Sequence, residues 1–520
     1  MIENEFDTFA VLAIVLVCIA TLAVGAFGLR LSRTTSDFYV ASRQVGPTRN
    51  ATAISGEYLS AASFLGVAGL IYERGFDSLW FPVGYTSGYV VLLVLVAAPL
   101  RRSGAYTIPD FAEMRMESTG IRRISAMLVV VIGWLYLLPQ FQGAALSLQS
   151  VTGWPTWVGS AIVVFTVVLG VAAGGMRSIT LVQAMQYWVK LCALSIPAFI
   201  LLYLWTSQGS PGPREVIGGG DALRSWYEPL TQSPHEPYPL YSTYSTLLAL
   251  CLGTMGLPHV LVRFYTNPDG KAARRTTTAV IGLIGLFYLF PPIYGVLGRV
   301  YLPSLGEHIP VDQVVLQLPK AALPGLTGDI LAAVLAGGAF AAFLSTASGL
   351  VISIAGVIAQ DVLRPTLARF TAGDSGVIQS FRLATIVAVV VPFIAALVTA
   401  PFGLARTVNL AFALAASTFA PLLLLGVWWR RLTVTGAFAG LFIGGGLAIA
   451  ATLITVVVRP EPGWVATALS QPAAWCIPAA FLSTIVVSLL TPRRIPPRTA
   501  RTLARLHTPE GVELGSLRQP

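Results

Sequence analysis

The sequence predicts an all-α polytopic membrane protein. It reads as one transmembrane unit over residues 1–491 followed by a short basic tail, 492–520. Three observations carry this expectation. Of the 520 residues, 55% are hydrophobic and only 11% charged, whereas a soluble domain carries about 25% charged residues. The apolar residues gather into runs near 8–29, 50–72, 79–100, 124–150, 156–174, 178–204, 241–262, 277–300, 330–360, 383–400, 407–429, 432–457 and 473–491. At about 20 residues per crossing, that makes about thirteen helices. Finally, the second and seventh runs are each interrupted midway by glycine, proline or polar residues.

Taken in order, the first run follows an acidic start, Met1-Ile-Glu-Asn-Glu-Phe-Asp7. A signal peptide would open on a basic region, so residues 8–29 are expected to stay as a first span. The long polar segments fall near 205–240, 301–325, 361–376 and beyond Pro492, and none resembles a soluble catalytic domain. The four cysteines, Cys18, Cys192, Cys251 and Cys476, stand alone in apolar runs without metal-ligand spacing, as small hydrophobes do.

The net charge of +10 is a topology signal, not a nucleic-acid patch. Basic residues crowd every second loop: Arg43 and Arg49, Arg101 and Arg102, Arg115 to Arg123, Arg177, Arg263 to Arg275, Arg364 to Arg382, Arg430 and Arg431, and Arg493 onward. The positive-inside rule puts those loops in the cytoplasm. An N-terminus outside and a cytoplasmic C-terminus follow, in a cell membrane. The Arg- and Pro-rich tail, without apolar periodicity, is expected to be disordered or to rest on anionic headgroups.

Four spans carry unusual chemistry. Span two reads Asn50-Ala-Thr-Ala-Ile-Ser-Gly-Glu-Tyr-Leu-Ser-Ala-Ala-Ser-Phe-Leu-Gly66, with a carboxylate, Glu57, at mid-membrane. Such a charge is costly in lipid and marks function. Span six places Thr180, Gln183, Gln186 and Lys190 along one helical stripe. Span seven is broken around Gly253, Gly256 and Pro258, ahead of His259. Span nine brings Ser345, Thr346 and Ser348 to mid-membrane among small residues that let helices approach closely. Two broken spans five apart point to inverted repeats with a binding site between them. The repeats would run over about 47–206 and 241–430, with 8–29, 432–457 and 473–491 as extra helices.

These residues also carry a resemblance. Ser36-Asp-Phe-Tyr-Val-Ala-Ser-Arg43, Ser55-Gly-Glu-Tyr-Leu-Ser-Ala-Ala-Ser-Phe-Leu-Gly66, Gly174-Gly-Met-Arg177, Gly256-Leu-Pro-His-Val-Leu-Val-Arg-Phe264 and Ala341-Ala-Phe-Leu-Ser-Thr346 occur in order. Together they resemble the sodium:solute symporter family, most closely its cation–acetate (monocarboxylate) branch. The resemblance implies a LeuT-like core of two five-helix inverted repeats and sodium-coupled uptake by alternating access. It implies a sodium site of the Gly56, Leu59 and Ala342 carbonyls with the Ser345 and Thr346 hydroxyls. A hard cation wants oxygen ligands, and a broken helix frees them.

The substrate is expected beside that ion. The amides near Ser60, Ala61, Ala62 and Ser63, where span two resumes, form a positive helix end suited to a carboxylate. Thr254 and Gly256 of span seven, Gln140 and Gln142 of span four, and Tyr58 and Tyr136 would complete the walls. Glu57 stands where the branch carries Asp; it would counter the sodium charge, pair with a polar neighbour or take up a proton. Lys190 would partner Glu57 or the substrate. His259 packs the helix or carries a proton, and Arg177 anchors a span end.

The function expected is sodium-driven symport of a small monocarboxylate such as acetate. The partners are sodium, the carboxylate and the bilayer, with no nucleic acid or obligate protein partner, and no cofactor beyond the coupling ion. Alternatives are another organic acid or an amino acid, proton coupling, or a sensor domain acting with a separate partner, since no kinase follows the last span. Enzyme chemistry is not expected, because the spans hold no metal-ligand cluster, G-x-S-x-G or paired catalytic acids.

Overall fold

The computed structural model describes residues 7–29, 41–213, 226–232, 237–302, 310–363, 373–399 and 403–510. Residues 36–40 of the first motif, Arg364, Arg369 and the tail beyond 510 lie outside them. Every element among the described residues is helical. Among the described residues, ten helices are long and apolar enough to cross a bilayer, and an eleventh crossing is the pair Pro239–Gly256 and Pro258–Phe264, bent by 46°. The difference from the thirteen expected crossings has two sources. Thr156–Ala172 is apolar but short, and Ala62–Leu95 runs the second half of span two into span three as one stretch.

The spans divide into a centre and a periphery. The apolar windows of Leu326–Leu363 and Leu404–Trp428 are 89% buried by other helices, and that of Thr8–Gly28 only 22%. The outer helices turn Phe165, Phe199, Phe442 and Leu482 outward, as a lipid-facing surface requires. Inside, Leu326–Val357 packs against the helix that ends at Ser207, and both pack against Pro47–Tyr58. The expected boundary between spans five and six falls at Gly175, whose φ of 58° interrupts an otherwise continuous Thr156–Ser207 helix. Only glycine enters that left-handed region at little steric cost.

One expectation is corrected here, and one basic loop residue proves to do more than mark topology. The tail, whose composition predicts disorder, forms a helix over Thr499–His507 that buries Leu503 and Leu506. The contact is pinned by Arg115 Nη1 donating to Thr499 Oγ1 at 3.3 Å and by Glu510 Oε1 accepting from the Gly270 amide at 2.7 Å. The basic loop residues are also more than anchors. Arg115 is fully buried and donates to the carbonyls of Gly426 (2.7 Å) and Trp429 (3.1 Å). It thereby satisfies acceptors that a helix end leaves open.

Candidate cation and substrate site

The second span breaks where the sequence places the break. Pro47–Tyr58 is helical, Leu59 and Ser60 leave the helix, and the chain resumes through a widened π-type turn over Ala62–Gly66. Such turns concentrate at functional sites. Span seven breaks in step: Pro239–Gly253 ends, Thr254–Gly256 tightens, Leu257 is extended and Pro258–Phe264 restarts. Two glycines permit the approach of the neighbours. A Cβ at Gly56 would meet the Gln183 backbone, and one at Gly349 would meet the Glu57 carboxylate.

One side of the break is a cage of oxygens. The expected cation ligands converge there, and what they hold is the chain's own Lys190. Its Nζ donates to the carbonyls of Gly56 and Leu59 (the latter at 2.7 Å) and to Ser345 Oγ at 2.9 Å. Ser345 Oγ in turn donates to the Ala342 carbonyl at 3.1 Å, and Thr346 Oγ1 donates to the Glu57 carbonyl at 2.6 Å. Lys190 is fully buried, and among the described residues no carboxylate forms an ion pair with it.

Glu57 pairs instead with Arg263, whose Nε donates to Glu57 Oε2 at 2.7 Å. Arg263, which the sequence groups with the loop charges, is fully buried at the end of the restarted span seven. Its other nitrogens reach Thr180 Oγ1 at 2.7 Å and Gln183 Oε1, and Gln183 Nε2 donates to the Ser345 carbonyl at 2.8 Å. The polar stripe of span six therefore links both broken spans to span nine. Its remaining member, Gln186, donates to Thr21 of the first span at 3.0 Å.

The other side of the break is an aromatic chamber. Tyr58 meets Tyr89 edge-on at 4.8 Å, Tyr85 at 5.8 Å and Phe412 at 6.1 Å between ring centroids. Tyr136 packs at 5.2 Å on His259 and at 5.8 Å on Phe412. The Tyr58 hydroxyl lies 2.9 Å from Thr254 Oγ1, joining the two breaks. Ser63 Oγ pairs with the Tyr288 hydroxyl at 2.8 Å. Gln140 takes one of the amides expected to face substrate, accepting from Ala61 N at 3.1 Å. Gln142 turns away and donates to Thr399 at 3.2 Å. Gly256 packs against the Ala415 backbone.

This chamber gathers several polar atoms without partners. Ser60 Oγ, the Tyr85 and Tyr89 hydroxyls and both ring nitrogens of His259 are buried and make no hydrogen bond. The Tyr136 hydroxyl approaches Ser60 without bonding geometry. Burying such groups unpaired costs about 1–3 kcal/mol each, so their clustering marks a place where a polar ligand fits. Tyr85 and Tyr89 escaped sequence reasoning. Their spacing in an apolar run looks like packing, and only the neighbouring Gly84 and Gly88, which admit Leu250 and Thr254 of span seven, hint at more.

Comparison with known proteins agrees with this architecture. The family model described as "Sodium:solute symporter family" matches residues 38–444. An uncharacterized symporter YwcA of Bacillus subtilis is 30% identical over 489 residues, covering 91% of this chain and 92% of that protein. A monocarboxylic acid transporter of Corynebacterium glutamicum is 29% identical over 518 residues, covering 93% and 92%. The fold is similar to a substrate-bound, outward-open Na+-coupled sialic acid symporter, with a TM-score of 0.71 at 15% identity over 94% of this chain and 98% of that one. It is also similar to Mhp1, a nucleobase-cation-symport-1 family transporter, with a TM-score of 0.52 at 16% identity over 91% and 99%. These likenesses bear out the all-helical, LeuT-like fold. By sequence and architecture together, the chain belongs to the sodium:solute symporter family, as a multi-pass membrane transporter of small solutes and not an enzyme.

Proposed function

We propose that the chain carries a small monocarboxylate such as acetate into the cell, coupled to inward sodium flow and working by alternating access. The N-terminus would face outside and the Arg-rich loops the cytoplasm, as the positive-inside rule requires. The observation that carries the substrate class is the chamber of unpartnered buried donors around Ser60. Hydroxyls of Ser60, Tyr85 and Tyr89 and a ring N–H of His259 suit a carboxylate's acceptor oxygens. The helix that starts after Ser60 adds the positive end of its dipole. The rings of Tyr58, Tyr85, Tyr89 and Phe412, packed at 4.8–6.1 Å between centroids, would offer a short acyl chain an apolar surface once they part to admit it. A fixed cation is not needed to bind the anion, and Arg263 is not offered for it, being held by Glu57.

The monocarboxylic acid transporter among the relatives supports the same class. In alternating access the two breaks act as joints. Tyr58 and Thr254 couple them, and Thr346 ties span nine to the first half of span two. The test is uptake of labelled acetate into proteoliposomes, with sodium and pH gradients imposed separately and empty liposomes as the diffusion control. Accumulation driven by sodium is expected. No accumulation above the control under either gradient contradicts the proposal.

A further inference from the structure

The oxygen cage at the break is occupied by a side chain. Lys190 offers three N–H donors, and they meet three acceptors: two carbonyls freed by the break and one hydroxyl of span nine. An ammonium so placed uses the lone pairs on which a sodium ion would depend. Two cations cannot share the cage, since like charges at hydrogen-bond range in a buried site repel strongly. Among the described residues no carboxylate pairs with this site: Glu57, the acidic group at the break, is bonded to Arg263 through Oε2 at 2.7 Å, and its Oε1 makes no hydrogen bond.

We infer that Lys190 is a tethered cation that competes with sodium for this site. With the ammonium in place the cage is closed to the ion, and sodium enters only by displacing Lys190. Lys190 would then hold span two, span six and span nine together whenever sodium is absent. Its long, flexible stem permits the exchange: four methylenes allow Nζ to leave while the helix stays in place. This inference rests on the reading of the chain as a cation-coupled carrier, and it assigns Lys190 a positioning role and not contact with the carboxylate.

The test measures sodium binding apart from transport. Purified wild type and Lys190→Ser are titrated with sodium chloride against N-methylglucamine chloride at constant ionic strength, with the thermal unfolding midpoint followed. A ligand that binds the folded state raises the midpoint as its concentration passes its dissociation constant. Lys190→Ser is expected to show sodium-specific stabilisation with half-saturation at least tenfold below that of wild type. Equal half-saturation in the two proteins overturns the inference. The wild type decides alone if the variant does not fold. A sodium-specific rise that sets in only well above low millimolar sodium upholds the inference, and a rise that saturates at low millimolar sodium overturns it. Acetate uptake is measured in parallel. If uptake is absent while the sodium shifts behave as expected, the transport proposal fails and the inference stands.

Discussion

The two sides of the span-two break are built from adjacent residues and differ in one respect. On the cage side, the Gly56 and Leu59 carbonyls and the Ser345 hydroxyl hold Lys190 and Glu57 Oε2 accepts from Arg263, while Glu57 Oε1 and Ser55 Oγ stay unpartnered. On the chamber side, Ser60, Tyr85, Tyr89 and His259 are just as buried and hold nothing. Satisfied networks stiffen a fold, while unsatisfied ones are costly unless a ligand completes them. Under the proposed function, the cage would set the arrangement of the helices and the chamber would set what is carried.

Substitutions break that contrast in order of size. Arg263→Ala strands the Glu57 carboxylate and should lower stability most, by about 3–5 kcal/mol, as for other buried pairs that lose one partner. Glu57→Gln combined with Arg263→Gln should recover part of the thermal midpoint, since neither charge is then stranded. An equal loss in the single and double variants would remove the pair from the stabilising network.

Ser60→Ala reads the other side. Its hydroxyl has no protein partner, so the unfolding midpoint should stay near that of wild type. The acetate concentration for half-maximal uptake should rise about tenfold, the equivalent of about 1.4 kcal/mol for one hydrogen bond to a charged group. Tyr89→Phe should act in the same direction and more weakly. A fall in midpoint with unchanged uptake would place Ser60 among the structural residues. Gln142→Ala is the smallest case. Because Gln142 faces Thr399, acetate half-saturation should change less than about twofold, with stability lowered by about 1 kcal/mol. A larger rise in half-saturation would return Gln142 to the substrate wall.

Much of this was legible in the sequence because membrane chemistry writes large signals. Apolar runs give the spans, and Gly256, Pro258 and the Ser55–Ser63 cluster give the breaks. The helical spacing of Thr180, Gln183, Gln186 and Lys190 foretold a stripe facing the interior, and all four side chains are buried there. Pairing was not legible. Arg263 lies among loop arginines in the sequence, and only the restart at Pro258 keeps it inside the bundle beside Glu57. The tail helix is hard to see in the sequence because its apolar seam is narrow: Leu503 and Leu506 are the apolar residues it buries among many arginines. Which side of the break is saturated depends on where Lys190 Nζ lies, and a sequence does not specify the reach of a flexible side chain.

The most direct measurement is dipolar dephasing by solid-state NMR between carboxyl-labelled 13C-acetate and 15N-labelled side chains in membranes. Histidine and lysine are labelled in separate samples, and His259→Asn provides the assignment among the four histidines. Dephasing from histidine, at a distance within hydrogen-bond reach and lost in His259→Asn, is expected, with none from lysine. Dephasing from lysine with none from histidine would place the carboxylate in the cage and contradict the division of the break into a saturated and an open side.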